Sequence, residues 1–323
     1  MTAPTSSAPE SPRQLIRWLE AGKVSTTEAL SELRRLESGR LADHLVVADD
    51  RRPIVERVLR ELDALVGLAG VKQQVREIWA LVEIQQRRRA LQLNTDTHTL
   101  HMVFRGAPGT GKTTVARVLG RLFHALNVLP KGHLVEVERA DLVGEYIGHT
   151  AQKTREAVRR ALGGILFVDE AYALARGGEK DFGKEAIDTL VKSMEDHKED
   201  FLLVLAGYPQ EMTAFLQANP GLLSRLPIHL TFPNYDAAEM LEIAERMLEE
   251  RQYRASDEAR EYLRRFFGAH TGLWHANAGN GRLVRNMVER AIRRQAVRLM
   301  SQTDNPTRDQ LMLLERQDWE QNP

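Results

Sequence analysis

The sequence predicts an α/β fold: a mainly parallel sheet flanked by helices, with a C-terminal helical domain and a small N-terminal helical extension. Three observations carry this. Short apolar runs alternate with helical patterns from about residue 100 to residue 232, which implies strands buried on both faces. A glycine-rich segment, Gly106-Ala107-Pro108-Gly109-Thr110-Gly111-Lys112-Thr113, separates the first run from the first helix. From about Pro233 the strand signal stops and helical patterns continue.

In chain order, residues 1–64 form the predicted tail and small helical region. Met1 to Ser11 is rich in Ser, Thr and Pro and lacks the basic-then-apolar pattern of a signal peptide. Ser11-Pro12 reads as a helix start and Gly22 as its stop. Ser25-Thr26-Thr27-Glu28 fits a capping box ahead of Leu30, Leu33 and Leu36, ended by Gly39. A third helix near Pro53 places Val55, Val58, Leu59, Leu62 and Leu65 on one face. These stripes suit either a small bundle or a docked partner.

Residues 65–232 form the predicted nucleotide-binding domain. Val71–Leu91 reads as a long helix with Val71, Val75, Ile78 and Val82 buried. Strands are expected at His101–Phe104, His133–Val137, Ile165–Val168, Phe201–Ala206 and Ile228–Phe232. Helices are expected at Lys112–Leu126, Ala151–Leu162, Lys184–Asp196 and Gln210–Gln217. In the helical domain, 233–323, the helices are Ala237–Arg251, Asp257–Phe267 and Arg282–Met300, with a turn-rich loop from His275 to Gly281. Arg290, Arg293, Arg294 and Arg298 are expected on a solvated face.

The glycine-rich segment fits G-x-x-x-x-G-K-[ST], the phosphate-binding P-loop. Its glycines let backbone N–H groups curve around an anion, and the next helix adds a positive N-terminal end. Lys112 can reach the β- and γ-phosphates and the Thr113 hydroxyl can hold Mg²⁺. Ile165-Leu166-Phe167-Val168-Asp169-Glu170 is a buried strand that ends in two carboxylates. Asp169 would share Mg²⁺, and Glu170 would orient and polarise the attacking water.

Arg225 lies between the fourth helix and the last strand, as an arginine finger for a neighbouring subunit or as a surface ion pair. Arg282 opens the final helix and can reach the γ-phosphate; Arg285, one turn on, is its competitor. Leu142 to Gly148 sets Tyr146 and Ile147 in a glycine-flanked loop, either projecting into the channel of a ring or packing into the core.

Composition argues against several classes. Lys plus Arg and Asp plus Glu are both 45, so there is no basic excess for wrapping duplex nucleic acid. With no cysteine, disulfides, thiolate metal sites and cysteine catalysis are excluded, and a cytoplasmic location is expected. No apolar run approaches the ~20 residues of a membrane span. His98 and His101 have no ligand partners at metal spacing and are expected to be structural or surface residues.

Together, the P-loop, the Asp169-Glu170 strand end, Arg225 and the helical C-terminal region resemble the AAA+ ATPases. Gly144 to Thr154, Gly163 to Tyr172 and Leu174 to Asp188 resemble more narrowly the CbbX/CfxQ branch, which takes in red-type Rubisco activases and sporulation-type members. The last of these runs is most similar to the sporulation type.

The resemblance implies ATP and Mg²⁺ as cofactors. ATP would be held by Gly106, Ala107, Pro108, Gly109, Thr110, Gly111, Lys112, Thr113 and Thr114, with Gly67 and Leu68 near adenine. It implies Thr113 and Asp169 as metal ligands, and Glu170, Lys112, Arg225 and Arg282 as catalytic residues. It also implies a homo-oligomeric ring, a hexamer, in which Tyr146, Ile147 and Gly148 form a pore loop that grips or threads a protein substrate. The alternatives are a Rubisco activase-like remodeller, an ATP-dependent scaffold that does not thread, and a nucleic-acid-acting ATPase. One departure stands out. The fourth strand ends Leu203-Val204-Leu205-Ala206-Gly207-Tyr208-Pro209, without the polar sensor, usually Asn, of many AAA+ proteins, so the γ-phosphate sensor is not assigned.

Overall fold

The computed structural model describes residues 51–95, 99–146, 148–176, 181–270, 279–302 and 305–320. The two helices expected before residue 50, together with His98, Ile147 and His275–Ala278, lie outside the described residues. The chain divides into two compact units, Met1–Arg57 with Ala80–Thr97, and Val58–Trp79 with His98–Pro323. Residues 51–63 are helical, as is α1 (Ala69–Ala90). In the first unit Val55 and Val82 are buried, whereas Ile84, Leu91 and Leu93 are exposed.

The second unit is built on five strands: β1 (Met102–Gly106), β2 (Leu134–Val137), β3 (Ile165–Val168), β4 (Leu202–Gly207) and β5 (Ile228–Phe232). Their order is β2-β3-β4-β1-β5 and every pair is parallel. Strands β3 and β4 are buried throughout, as expected where helices cover both faces. Arg105 pairs with Gly207, and Val168 with Leu205, so the ends of β1, β3 and β4 leave the sheet side by side. That edge is where parallel sheets bind ligands.

The intervening elements are α2 (Lys112–Ala125), α3 (Arg139–Leu142), α4 (His149–Ala161), a 3-10 turn (Ala171–Ala175), α5 (Gly183–Asp196), α6 (Pro209–Ala218) and α7 (Pro220–Leu223). The four predicted helices are present with ends shifted by one or two residues; α3, α7 and the 3-10 turn are too short to show a period. Helix α2 buries Val115, Val118, Leu119, Leu122 and Phe123 on one face, which presses it against the sheet. Phe104 packs against Phe167 and Phe232, with ring centres 6.2 and 5.0 Å away, and joins β1, β3 and β5 through the core.

Three predicted helices of the C-terminal region are present: α8 (Ala237–Glu249), α9 (Asp257–His270) and α10 (Asn280–Gln302). A side-chain capping box from Asp236 and Glu239 starts α8. Two expectations are corrected here. Strands do occur after Pro233: β6 (Arg254–Ala255) pairs in parallel with β7 (Leu313–Leu314). Two-residue strands carry no periodicity, so no pattern announces them. Nor does Arg298 lie on a solvated face. Its guanidinium forks onto Asp318, at 3.0 and 2.9 Å, and reaches Glu315 at 2.9 Å. Asp318 is only 2% exposed. Arg294 donates to the Glu320 carbonyl, while Arg290 and Arg293 are exposed as expected. These bonds hold α11 (Arg308–Met312) and α12 (Arg316–Trp319) against α10, helped by Gln295, whose amide donates to three carbonyls between Gln310 and Leu313.

Candidate active site

Gly106 ends β1 buried, and Gly111 is the N-cap of α2. Between them the loop is tied internally: the buried Thr110 hydroxyl donates to the Ala107 carbonyl at 2.8 Å. The Lys112 ammonium folds back onto the Gly106 and Ala107 carbonyls, at 2.9 Å each. Burial pulls the Lys112 pKa below its ordinary value; Asp169 opposes this, Arg282 adds to it and Glu170 opposes it. Four residues drawn from three separate sequence segments therefore share one electrostatic environment. Thr113 is half-buried and Thr114 exposed.

Asp169 follows β3 and accepts from the Glu170 backbone N–H at 3.0 Å. Glu170 is exposed and has a left-handed backbone, φ +47°. Leu68 lies on the other side of the loop, its Cδ1 3.5 Å from where a Cβ on Gly111 would stand. Leu68 thus borders the P-loop, while Gly67 lies against the Glu239 side chain.

The loop also meets the C-terminal helices directly. The Gly281 N–H donates to the Gly109 carbonyl at 3.0 Å. Gly109 has φ +74°, and a Cβ there would collide with the Gly279 carbonyl and stand 2.8 Å from the Arg282 nitrogen. Two residues the sequence reading passed over complete the seam. Asn280, 1% exposed, donates to the Pro108 carbonyl at 3.2 Å and to Asn234 at 3.0 Å, and accepts from the Tyr235 N–H at 3.0 Å. The Tyr235 hydroxyl donates to the Thr110 carbonyl at 3.2 Å. Burial, with the Glu239 charge, pushes its pKa up to about 12, so it remains a donor. The only sequence signal for Asn280 was its place between two glycines at a helix start. The Arg282 side chain is exposed at the same helix start, with Arg285 exposed one turn on.

Arg225 lies elsewhere. One of its nitrogens donates to the Gly221 carbonyl at 2.9 Å and another pairs with Glu195. That hydrogen bond holds the Glu195 carboxyl below its usual range. Within one chain Arg225 is therefore a surface ion pair.

Tyr146 does not pack into the core: it is 66% exposed, and its ring meets the His149 ring edge-on at 5.4 Å. The base of its loop is fixed by α4. The buried Thr150 hydroxyl accepts from the Gly144 N–H at 2.9 Å, Thr154 donates to the Leu142 carbonyl at 3.1 Å, and Lys153 reaches the Ala140 and Val143 carbonyls. Gly148 is exposed with φ +83°. His101 is structural: it is buried, its Nδ1 accepts from the Leu203 N–H at 3.0 Å, and burial lowers its pKa to about 4.

Comparisons with known proteins agree with this architecture. Residues 102–234 match the ATPase family associated with various cellular activities (AAA), and residues 236–323 match the AAA lid domain. Stage V sporulation protein K of Bacillus subtilis is 52% identical over 82% of this chain and 82% of its own. Protein CbbX of Cereibacter sphaeroides is 47% identical over 78% of this chain and 81% of its own. A CfxQ homolog of Galdieria sulphuraria is 43% identical over 82% and 87%. The AAA domain of FIGL-1, solved with ADP, superposes with a TM-score of 0.54 over 79% of this chain and 80% of that one; at 16% identity it speaks for the fold alone. The chain belongs to the AAA+ ATPases, in the CbbX/CfxQ branch.

Proposed function

We propose that this ATPase is a protein-remodelling motor of the sporulation type, working as a homo-oligomeric ring, a hexamer, in the cytoplasm. The supporting observation is Tyr146. A bulky aromatic 66% exposed on a loop with a pinned base suits gripping an extended polypeptide without reading its sequence. The higher identity to the sporulation relative than to the CbbX and CfxQ relatives favours that role over Rubisco activation.

ATP would lie on the P-loop N–H groups, with Gly67 and Leu68 beside adenine and Arg282 beside the γ-phosphate. Lys112 would leave its two carbonyls for the phosphates. The Thr113 hydroxyl and Asp169 carboxylate form a hard oxygen pair suited to Mg²⁺, which leaves most ligand positions to phosphate and water. Bound there, the ion would neutralise charge on the phosphates. Glu170 would polarise the attacking water. Arg225 would exchange Glu195 for the γ-phosphate of a neighbouring subunit, a contact worth roughly 10³–10⁵ in rate in other P-loop enzymes.

Purified Glu170→Gln protein should bind ATP and hardly hydrolyse it; wild-type phosphate release would remove the assigned role. In mixed rings, Arg225→Ala subunits should be rescued by Lys112→Ala neighbours that keep Arg225, and no rescue would mean that no finger acts in trans. A scaffold that does no threading would be indifferent to Tyr146→Ala, whereas a motor loses remodelling.

A further inference from the structure

Arg139 opens α3, the short helix between β2 and the Tyr146 loop, and its side chain reaches two other elements. One guanidinium nitrogen donates to the Ala173 carbonyl at 2.7 Å, inside the 3-10 turn that follows Glu170. Another donates to both oxygens of Asp181, at 2.6 and 2.8 Å. Asp181 in turn accepts from the Gly183 N–H at 2.7 Å, at the start of α5. The Arg139 hydrogen bond is the chief reason that the Asp181 carboxyl is held below its usual range. A Cβ on Gly183 would collide with the Leu174 carbonyl and stand 3.0 Å from the Arg139 guanidinium, so three elements meet here without a gap.

From this junction one path leads to Glu170. The Ala173 N–H donates to the Glu170 carbonyl at 2.7 Å, so a single residue separates the guanidinium from Glu170. Glu170 has φ +47°, a left-handed backbone that a residue other than glycine keeps only where its surroundings hold it. The other path leads to the Tyr146 loop. The Arg139 carbonyl accepts from the Val143 N–H at 2.9 Å and closes α3, and Gly144 follows, held by Thr150. Gly144 and Glu145 line the same cleft as Asp169 and Glu170.

We propose that Arg139 couples the nucleotide site to the Tyr146 loop. It ties the turn after Glu170 and α3 into one body, so that a shift of the turn between ATP and ADP is carried to the loop. By linkage, a load on the loop is carried back to the turn. The task calls for arginine: its planar fork holds the Ala173 carbonyl and the Asp181 carboxylate at once, whereas a lysine ammonium is a single point charge. The coupling rests on the reading of Glu170 as the residue that faces the nucleotide.

The chain has no cysteine, so full-length Tyr146→Cys accepts one spin label. Its spectrum is compared in saturating ADP and in a non-hydrolysable ATP analogue, first with Arg139 present and then with Arg139→Lys or Arg139→Ala added. Expected is a nucleotide-dependent change in label mobility that is lost in Arg139→Ala and not recovered in Arg139→Lys. With Tyr146 intact, Arg139→Ala should lower kcat for ATP roughly 10-fold while retained binding of a fluorescent ATP analogue reports a folded P-loop. Should Arg139→Ala fail to bind nucleotide, Asp181→Asn takes its place; it weakens the fork, leaves the Ala173 bond, and should diminish the mobility change. A change that survives in a nucleotide-binding Arg139→Ala or is undiminished in Asp181→Asn overturns the proposal. So does full recovery by Arg139→Lys, or a label that does not respond to nucleotide with Arg139 present. The reading of Glu170 fails separately, if Glu170→Gln hydrolyses ATP normally, and that outcome needs no Arg139 variant.

Discussion

The P-loop and the Tyr146 loop both follow parallel strands of one sheet, yet the protein holds them differently. The P-loop is fixed along its length: by Thr110 and Lys112 from within, and by Asn280, Gly281 and Tyr235 from outside. Among its described residues the Tyr146 loop is fixed at its base, by Thr150, Lys153 and Thr154, and its aromatic tip is 66% exposed with the His149 ring against its edge. The contrast suits the role proposed for each. Backbone N–H groups bind a phosphate only if they converge, and a small displacement costs much of the benefit. A side chain that grips by apolar contact needs a firm base but no fixed partner at its tip.

Four substitutions can break or sharpen this contrast. The largest effect is expected from Gly109→Ala, which adds a Cβ to a left-handed position already pressed on the Gly279 carbonyl and Arg282 nitrogen. Backbone strain of about 1–3 kcal/mol plus the collision should displace the loop, with a roughly 10²-fold loss in kcat/KM for ATP. Activity near wild type would mean that the seam is not tight.

Asn280→Ala comes next. It leaves the Pro108 carbonyl and the Tyr235 N–H without their partner, at about 1–3 kcal/mol. Denaturant midpoint and nucleotide affinity should fall together, since one side chain serves both the loop and the helix start. A stability loss with unchanged affinity would separate the two.

Thr150→Val tests the base of the other loop. It keeps the shape and removes the acceptor for the Gly144 N–H, at about 1 kcal/mol. Limited proteolysis around residue 146 should become faster while ATP affinity holds. Unchanged proteolysis would show that Lys153 and Thr154 suffice. The smallest effect on stability belongs to Tyr146→Ala, within about 0.5 kcal/mol by thermal melting, because the ring buries little. A larger loss would mean that Tyr146 has a packing partner and is no free grip.

What the sequence determined is what local chemistry dictates. Strands β3 and β5 have the predicted ends, because a continuous apolar run (Ile165–Val168) and a strict apolar–polar alternation (Ile228–Phe232) both have few other readings. The P-loop, the Asp169-Glu170 strand end and the three long helices of the C-terminal region were legible for the same reason: spacing along the chain fixes them. Tertiary structure decided the rest, where distant residues meet. Asn280 touches Pro108, 172 positions away, and nothing in either neighbourhood announces it. Arg298 has the appearance of one more solvated arginine until β7 and α12 bring the buried Asp318 to it. Gly207 ends its strand with no hint of a partner until the turn after β3 lays the Tyr172 ring over it. A period or a motif is a property of neighbours in sequence, whereas a hydrogen bond or a filled space is a property of neighbours in the folded chain.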